Sequence, residues 1–331
     1  MKMWSKAVVV VFMISTILAI YFVWNLQPNR HFDTSNMPIL ETTPDSPKTS
    51  NKVKDPKRQS DDSVPQQQAA EYPDETFNVL LLGIDARNEE LSRTDLLMLA
   101  NINPTTKKIY LISIPRDTKV KLAGVGYTKI NHAHILGELE GGSHAGTMAS
   151  VKAVSSLLYC PINYYLKINF QGFKDFVDEI GGLDIELPQP LKLTFADKTL
   201  PAGSQHLDGD LALKLAKERY SLPGGDFGRQ KNNLLLLDAL SEKLLNANQL
   251  PKVPTLVKQS RSYILDTNLT NSDMISLAWL VHSISKDDIE YFQIPGASER
   301  TVDPIIKKKL FYWVPQTDKI RELSEKYLNQ D

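Results

Sequence analysis

The sequence is poor in cysteine, in net charge and in the short signatures of common enzyme classes, and each shortage removes a class of function. A single cysteine, Cys160, stands in 331 residues. It lies in a strand-like apolar context beside Pro161, and on its own it excludes an intramolecular disulfide or a zinc site built on several thiolates. Stability must come from packing. Lys and Arg (38) nearly cancel Asp and Glu (39), leaving a net charge of −1. That balance creates no broad field for a polyanion and points away from nucleic acid as a partner. No GxxxxGK[ST] P-loop occurs, no GxGxxG follows a strand, and neither a GxSxG nucleophile nor an HExxH zinc motif is present.

Long apolar runs are also scarce, and one alone is long enough to matter. Residues 7–24 read AVVVVFMISTILAIYFVW, eighteen residues without a charge. At about 1.5 Å per helical residue they nearly span a bilayer core of about 30 Å. Lys2 and Lys6 precede the run, Arg30 is the sole nearby basic residue after it, and Trp4, Tyr21 and Trp24 sit where an interfacial belt belongs. The pattern predicts a single-pass anchor at the cell membrane, with residues 1–6 cytoplasmic and the bulk outside. A cleaved signal peptide is the alternative, but no A-x-A site follows and no cysteine offers a lipid attachment point. From 25 to 76, Pro, Ser, Thr, Asp, Lys and Gln dominate, with scarcely any aromatic or branched apolar residue. Such a segment buries too little surface to offset its ordering entropy, so it reads as a flexible extracytoplasmic linker.

The whole sequence is 42% hydrophobic, enough for a packed core, and the remainder, 77–331, is long enough to hold it. Residues 77–84 and 96–102 read as strands buried on both faces, and 109–114, after the turn NPTTKK, as a strand pairing antiparallel with its predecessor. A helix is predicted over 147–158, a strand over 164–168, and a helix over 173–180 closed by Gly181-Gly182. Helices over 209–220 and 230–245 flank the turn-forming stretch SLPGGDFGR. Asn271 is expected to cap a helix reaching about residue 284, 289–294 is strand-like, and Pro315 is expected to open a last helix. Alternation of this kind predicts an α/β domain around a central mixed sheet.

Charged residues gather at the ends of the apolar strands: Asp85, Arg87, Arg93 and Asp95 around the first two, Arg116 and Asp117 after the third. Lys129, Asn131 and His132 follow in YTKINHAH, and Arg219, Asp226, Arg229 and Gln230 in ERYSLPGGDFGRQ. Strand ends are where open α/β sheets bind ligands. Arginine forks match pairs of phosphate oxygens, and a hard cation binds through one or two carboxylates plus phosphate oxygens and water, a role for Asp85 and Asp95. The mixture therefore suits a clamp for pyrophosphate. Each residue also has an ordinary reading: surface ion pairs, Pro115 ending a strand, His132 and His134 as satisfied structural histidines, the glycines as a plain helix-to-helix turn.

Taken in order, LLLGIDAR, SRTDLLML, ISIPRDT, KINHAH and ERYSLPGGDFGRQ resemble the LytR-CpsA-Psr family; NYYLKINFQGFKDFVDEIGGLDIELP, the anchor and the polar stalk are similar as well. The resemblance spans 77–328. It implies an extracytoplasmic phosphotransferase that takes a glycopolymer, such as wall teichoic acid, from a polyprenyl-pyrophosphate carrier and joins it to peptidoglycan through a phosphodiester. The implied fold is an α/β/α sandwich with a long apolar pocket for the carrier lipid. Carried over to this sequence, Mg²⁺, with Mn²⁺ as the substitute, would sit at Asp85 and Asp95. Pyrophosphate would lie against Arg116, Arg219 and Arg229, with Arg87, Asp117, Lys129, Lys217 and Gln230 around it. Asp226 and Gln230 would orient the arginines or the substrate, and Asp95 or Asp226 would serve as base. One departure is notable: Lys217 stands where the family often has the first arginine of R-x-R, which keeps the charge and loses the fork. For the lipid pocket, the apolar faces of 147–158 and 230–245 are the candidates, because the run Leu234 to Leu237 covers more than one helical face. Two other functions use the same residues: a pyrophosphatase that gives the phosphate to water, and a non-catalytic binder of lipid-linked glycan. The sequence offers no basic recognition helix for a transcriptional role.

Overall fold

The computed structural model describes residues 26–32, 38–40, 76–85, 91–222, 226–245 and 253–328. The predicted anchor, 7–24, lies outside the described residues, and among those described no helix is long and apolar enough to cross a membrane.

Six strands form the central sheet: β1 (Phe77–Ile84), β2 (Thr94–Asn103), β3 (Lys108–Ser113), β4 (Tyr164–Asn169), β5 (Ile264–Thr267) and β6 (Ile289–Gln293). Their spatial order is β5-β4-β1-β2-β3-β6. β1 with β4 and β3 with β6 are parallel, while β1 with β2, β2 with β3 and β4 with β5 are antiparallel. The sheet is mixed, as the alternation of elements implied, and the turn at NPTTKK does join antiparallel neighbours.

The runs of Leu, Ile and Val work because the sheet is covered on both faces. Successive residues alternate between two cores: Leu80, Leu82, Leu97, Leu99 and Ile112 face one, and Val79, Met98, Ala100, Ile102 and Leu111 the other. The first is closed by α1 (His132–Leu158) and α7 (Thr317–Tyr327), the second by α5 (Val253–Ser260), α6 (Asn271–His282) and one side of α4 (Asp226–Leu245). A third cluster joins α2 (Phe170–Glu179), α3 (Gly209–Lys217), α4 and the paired strands Leu183–Leu187 and Gly203–Leu207.

Several local expectations need correction. The helix expected over 147–158 starts at His132 and is broken in the middle, where Gly142 takes φ +80°; only glycine adopts that conformation without strain. Thr270, not Asn271, caps α6, through a box with Asp273 in which each side chain accepts from the other's backbone N–H. Pro315 ends a strand paired with Gly296, and the last helix opens at Thr317. Cys160 sits in the turn between α1 and β4 rather than in a strand; it is fully buried, and burial pushes its thiol pKa far up. The linker reading of 25–76 fails at its start. A helical turn at Pro28–His31 packs on α6, and Phe32 is buried with its ring stacked 4.4 Å from that of Phe77. One aromatic in a polar segment found a partner on the sheet, which composition does not register.

Candidate functional site

The register of the sheet explains why the charges meet. Ile84 lies opposite Thr94, with a bulge at Gly83, so the carboxyl end of β1 and the amino end of β2 share one edge. The carboxyl end of β3 reaches the same edge, where the N–H of Ile114 donates to the carbonyl of Leu97 at 3.0 Å. β4, parallel to β1, ends there too, at Asn169.

At this edge Arg116 forms an ion pair with Asp95, both largely buried. Asp85, at the end of β1, is exposed; its Oδ1 accepts from the N–H of Arg93 at 2.9 Å, and its own N–H donates to the Arg93 carbonyl at 3.2 Å. Beside this group, Lys129 Nζ lies 2.6 Å from Asp117 Oδ1. The two residues are held by backbone bonds from Asn131 N to the Arg116 carbonyl and from Ile130 N to the Thr118 carbonyl.

α4 brings the third contribution. Arg229 and Gln230 are buried, and Gln230 Oε1 accepts from Ser113 Oγ at 2.7 Å. From the end of α3, Lys217 extends its ammonium to 4.6 Å from the centre of the Phe170 ring. Arg219 donates from Nη2 to the Tyr220 hydroxyl at 2.8 Å. The hydrogen bond and charge of Arg219 lower the pKa of that phenol, and the charge of Arg116 adds to them. The structure thus collects Asp85, Asp95, Arg116, Lys217, Arg229 and Gln230 around one sheet edge, with Asp117 and Lys129 as a paired group alongside and Arg219 two residues beyond Lys217. Arg87 lies outside the described residues, as does the side chain of Asp226, which occupies the first position of α4.

Behind the cations opens an apolar cavity of about 330 Å³ between β1, β2, β4 and the helices α2, α3 and α4; Asp95, Lys217 and Arg229 lie in its wall with Phe170, Phe173 and Leu236. A second cavity of about 540 Å³ continues between the sheet and α4 and α6, and Leu81 and Leu237 line both. The leucine run on α4 does cover two faces: Leu236 and Leu237 meet the first cavity, Leu234, Leu235 and Leu237 the second. The other predicted face, on α1, lines a separate groove on the far side of the sheet.

The donor set can be tested against a cation. Among the described residues no cluster of three or more His, Cys, Asp or Glu forms a cage. Two carboxylates at adjacent strand ends fit a hard ion that takes its remaining ligands from phosphate oxygens and water, which is how Mg²⁺ is commonly bound.

His132 and His134 are structural. Thr128 Oγ1 donates to Asp303 Oδ2 at 3.0 Å and accepts from His132 Nδ1 at 2.7 Å, which fixes the protonated nitrogen. Burial lowers the His132 pKa and keeps the ring neutral, with Asp303 opposing and Arg93 and Lys129 reinforcing. His134 is buried against the Ser92 carbonyl and Lys167.

Sequence reasoning missed Glu218, Asn233 and Ser113. Asn233 was within reach: one helical turn beyond Arg229, it shares that face and lines the same cavity. Glu218 and Ser113 act through contacts with distant segments and carry no local signal.

The LytR_cpsA_psr family model matches residues 41–328. The polyisoprenyl-teichoic acid–peptidoglycan teichoic acid transferase TagU of Bacillus mycoides is 33% identical over 273 residues, covering 82% of this chain and 84% of that protein. Among solved structures, that of B. subtilis TagV matches with TM-score 0.65 and 27% identity over 78% of this chain and 100% of the other. TagT bound to LIIa-WTA matches with TM-score 0.62 and 26% identity over 77% and 90% of the two chains.

Proposed function

Because this chain belongs to the LytR_cpsA_psr family, we propose that it is a phosphotransferase that moves an anionic glycopolymer, such as wall teichoic acid, from a polyprenyl-pyrophosphate carrier to peptidoglycan. The observation that carries this reading is the junction of an apolar cavity with Asp95, Lys217 and Arg229 at its wall. A ligand that fits has a long hydrocarbon tail ending in a phosphorylated head. The similarity to TagU of Bacillus mycoides, a teichoic acid–peptidoglycan transferase, supports the choice of glycopolymer and acceptor.

In the proposed reaction the lipid tail fills the cavity and the pyrophosphate lies on Arg116, Arg219 and Arg229. An acceptor hydroxyl of peptidoglycan attacks the glycan-side phosphorus. The new P–O bond makes a phosphodiester, the bridging P–O bond breaks, and polyprenyl phosphate leaves with the bond's electron pair. The hydroxyl proton passes to a carboxylate, Asp95 or Asp226. Arg116, Arg219 and Arg229 face charge that grows on the phosphoryl oxygens, so their stabilisation is largest in the transition state. Asp85 and Asp95 would hold Mg²⁺ or Mn²⁺, which supplies further neutralisation of phosphate charge. The run 7–24 would anchor the protein in the cell membrane, N-terminus cytoplasmic, with the catalytic domain on the wall side.

The test is Arg116→Ala, assayed with lipid-linked polymer and peptidoglycan. The folded variant should lose transfer by roughly 10²- to 10³-fold. Retained transfer would remove Arg116 from the site, and omission of the acceptor separates transfer from hydrolysis.

A further inference from the structure

Phe195 and Tyr220 are among the large apolar side chains left exposed, at 53% and 63%. Single exposed aromatics need no explanation. These two, however, come from different elements and meet, with ring centroids 5.7 Å apart in an edge-to-face arrangement. Phe195 lies in the helical turn Thr194–Ala196 between the short strands Leu191–Leu193 and Lys198–Leu200; Tyr220 follows α3.

A buried carboxylate holds them together. Glu218 Oε2 accepts from the N–H of Thr194, and Oε1 accepts from Thr194 Oγ1 at 3.1 Å, Tyr220 N at 2.8 Å and Ser221 N at 3.0 Å. Ser221 Oγ adds a bond to the Lys192 carbonyl at 2.6 Å. Burial alone would raise the pKa of Glu218; the N–H groups of Ser221, Thr194 and Tyr220 outweigh it and hold the carboxyl below its ordinary range. A carboxylate buried beneath a surface loop is costly unless fully bonded, and this one fixes the neighbours of both aromatic residues.

The position of the pair identifies what it faces. Lys217, in the cavity wall, places its ammonium 5.8 Å from the centre of the Phe195 ring, and the Arg219 guanidinium lies 4.8 Å from that of Tyr220. The aromatics therefore border the cations; both are exposed, and neither lines the cavity. A molecule with its tail in the cavity and its pyrophosphate on the cations would present its next group here. In the proposed substrate that group is a sugar. A pyranose has an apolar C–H face and a hydroxylated rim, which suits an aromatic surface flanked by donors.

The geometry points to Phe195 and Tyr220, positioned by Glu218, as a stacking subsite for the first pyranose ring beyond the donor pyrophosphate. The inference rests on the transfer reading. Full-length protein in detergent is titrated with three probes: polyprenyl pyrophosphate bearing one N-acetylhexosamine, bare polyprenyl pyrophosphate, and a soluble muropeptide disaccharide. Phe195→Ala should weaken the glycosylated lipid roughly three- to tenfold and leave the bare lipid unchanged, and Tyr220→Ala, which also frees Arg219, should weaken the glycosylated lipid more than the bare one. Tyr220→Phe, which keeps the ring, should bind the glycosylated lipid as the wild type does. Glu218→Gln should reproduce the sugar-selective loss. Equal effects on both lipids, or none on either, overturn the subsite; a loss confined to the muropeptide overturns its assignment to the donor. Wild-type protein that binds neither lipid overturns the transfer reading instead.

Discussion

Ser113, the last residue of β3, donates its hydroxyl to Gln230 Oε1 at 2.7 Å, and so ties the helix that carries Arg229 to the strand that leads into Arg116. Both partners are buried. Ser113→Ala removes one donor from a buried amide and should cost about 1–3 kcal/mol in urea unfolding. Because Arg229 directly precedes Gln230 on the same helix, the same variant should lower the transfer rate by about 10- to 100-fold, the usual effect of a small misplacement. A variant destabilised to that extent yet fully active would show that α4 does not need this tie.

Asp95 pairs with Arg116 and, in the proposed reaction, would also hold a divalent ion beside the pyrophosphate. Binding of the ion then competes with an existing ion pair, so metal affinity should rise when the lipid draws Arg116 onto phosphate. Mn²⁺ binding followed by electron paramagnetic resonance reads this directly. Free Mn²⁺ should fall on adding polyprenyl pyrophosphate to the wild type, and much less with Asp95→Asn or Asp85→Asn. Equal Mn²⁺ uptake by all three proteins would move the ion to other ligands.

Asp303 should govern stability in acid. It accepts from the Tyr312 hydroxyl, from Thr128 Oγ1, and from the N–H groups of Ile305 and Ile306. Burial would raise its pKa; these donors outweigh burial and take it from 3.8 down to about 2. A depressed carboxyl contributes stability that is fully present above its unfolded pKa and is lost as pH falls through the folded value. The contribution is about 2 kcal/mol. Asp303→Asn should therefore be less stable at pH 7, and the gap to the wild type should shrink between about pH 4 and pH 2. A gap constant over that interval would assign the loss to packing alone.

How far this molecule is legible from its residues depends on the range of the interactions. β1, β2 and β3 are plain because burial on both faces leaves runs such as VLLLGI with no polar interruption. Their shared edge follows from the turn at NPTTKK and gathers Asp95 with Arg116. The hairpin pairing Lys119–Leu122 with Gly126–Lys129 has little to read, since the alternation Lys-Val-Lys-Leu lasts only four residues and its partner Gly-Tyr-Thr-Lys has none. Nor does Glu218 stand out, since its partner Thr194 belongs to a separate hairpin. Phe32 passed as linker because a single ring weighs little in composition, although its stack on Phe77 fixes the entry of the chain. The apolar cavity is foreshadowed by the α4 leucines only as a surplus of apolar face; Leu81 and Met98 in its lining belong to strands whose burial looks complete.

Leu237 offers the most direct test of what the two cavities hold, because it lines both. Leu237→Trp adds bulk to the wall they share, at a packing cost of about 1–3 kcal/mol. If one hydrocarbon chain runs through both, the tryptophan shortens the space and leaves the cations at the sheet edge in place. Transfer from a long-chain polyprenyl-pyrophosphate donor should then fall at least tenfold relative to a donor with a short prenyl tail, which needs only the cavity beside Arg229. The ratio of the two rates isolates the steric effect from any loss of folded protein, which lowers both equally. An unchanged ratio would mean that the long chain never passes Leu237, and that the cavity between the sheet and α6 belongs to packing and not to the substrate.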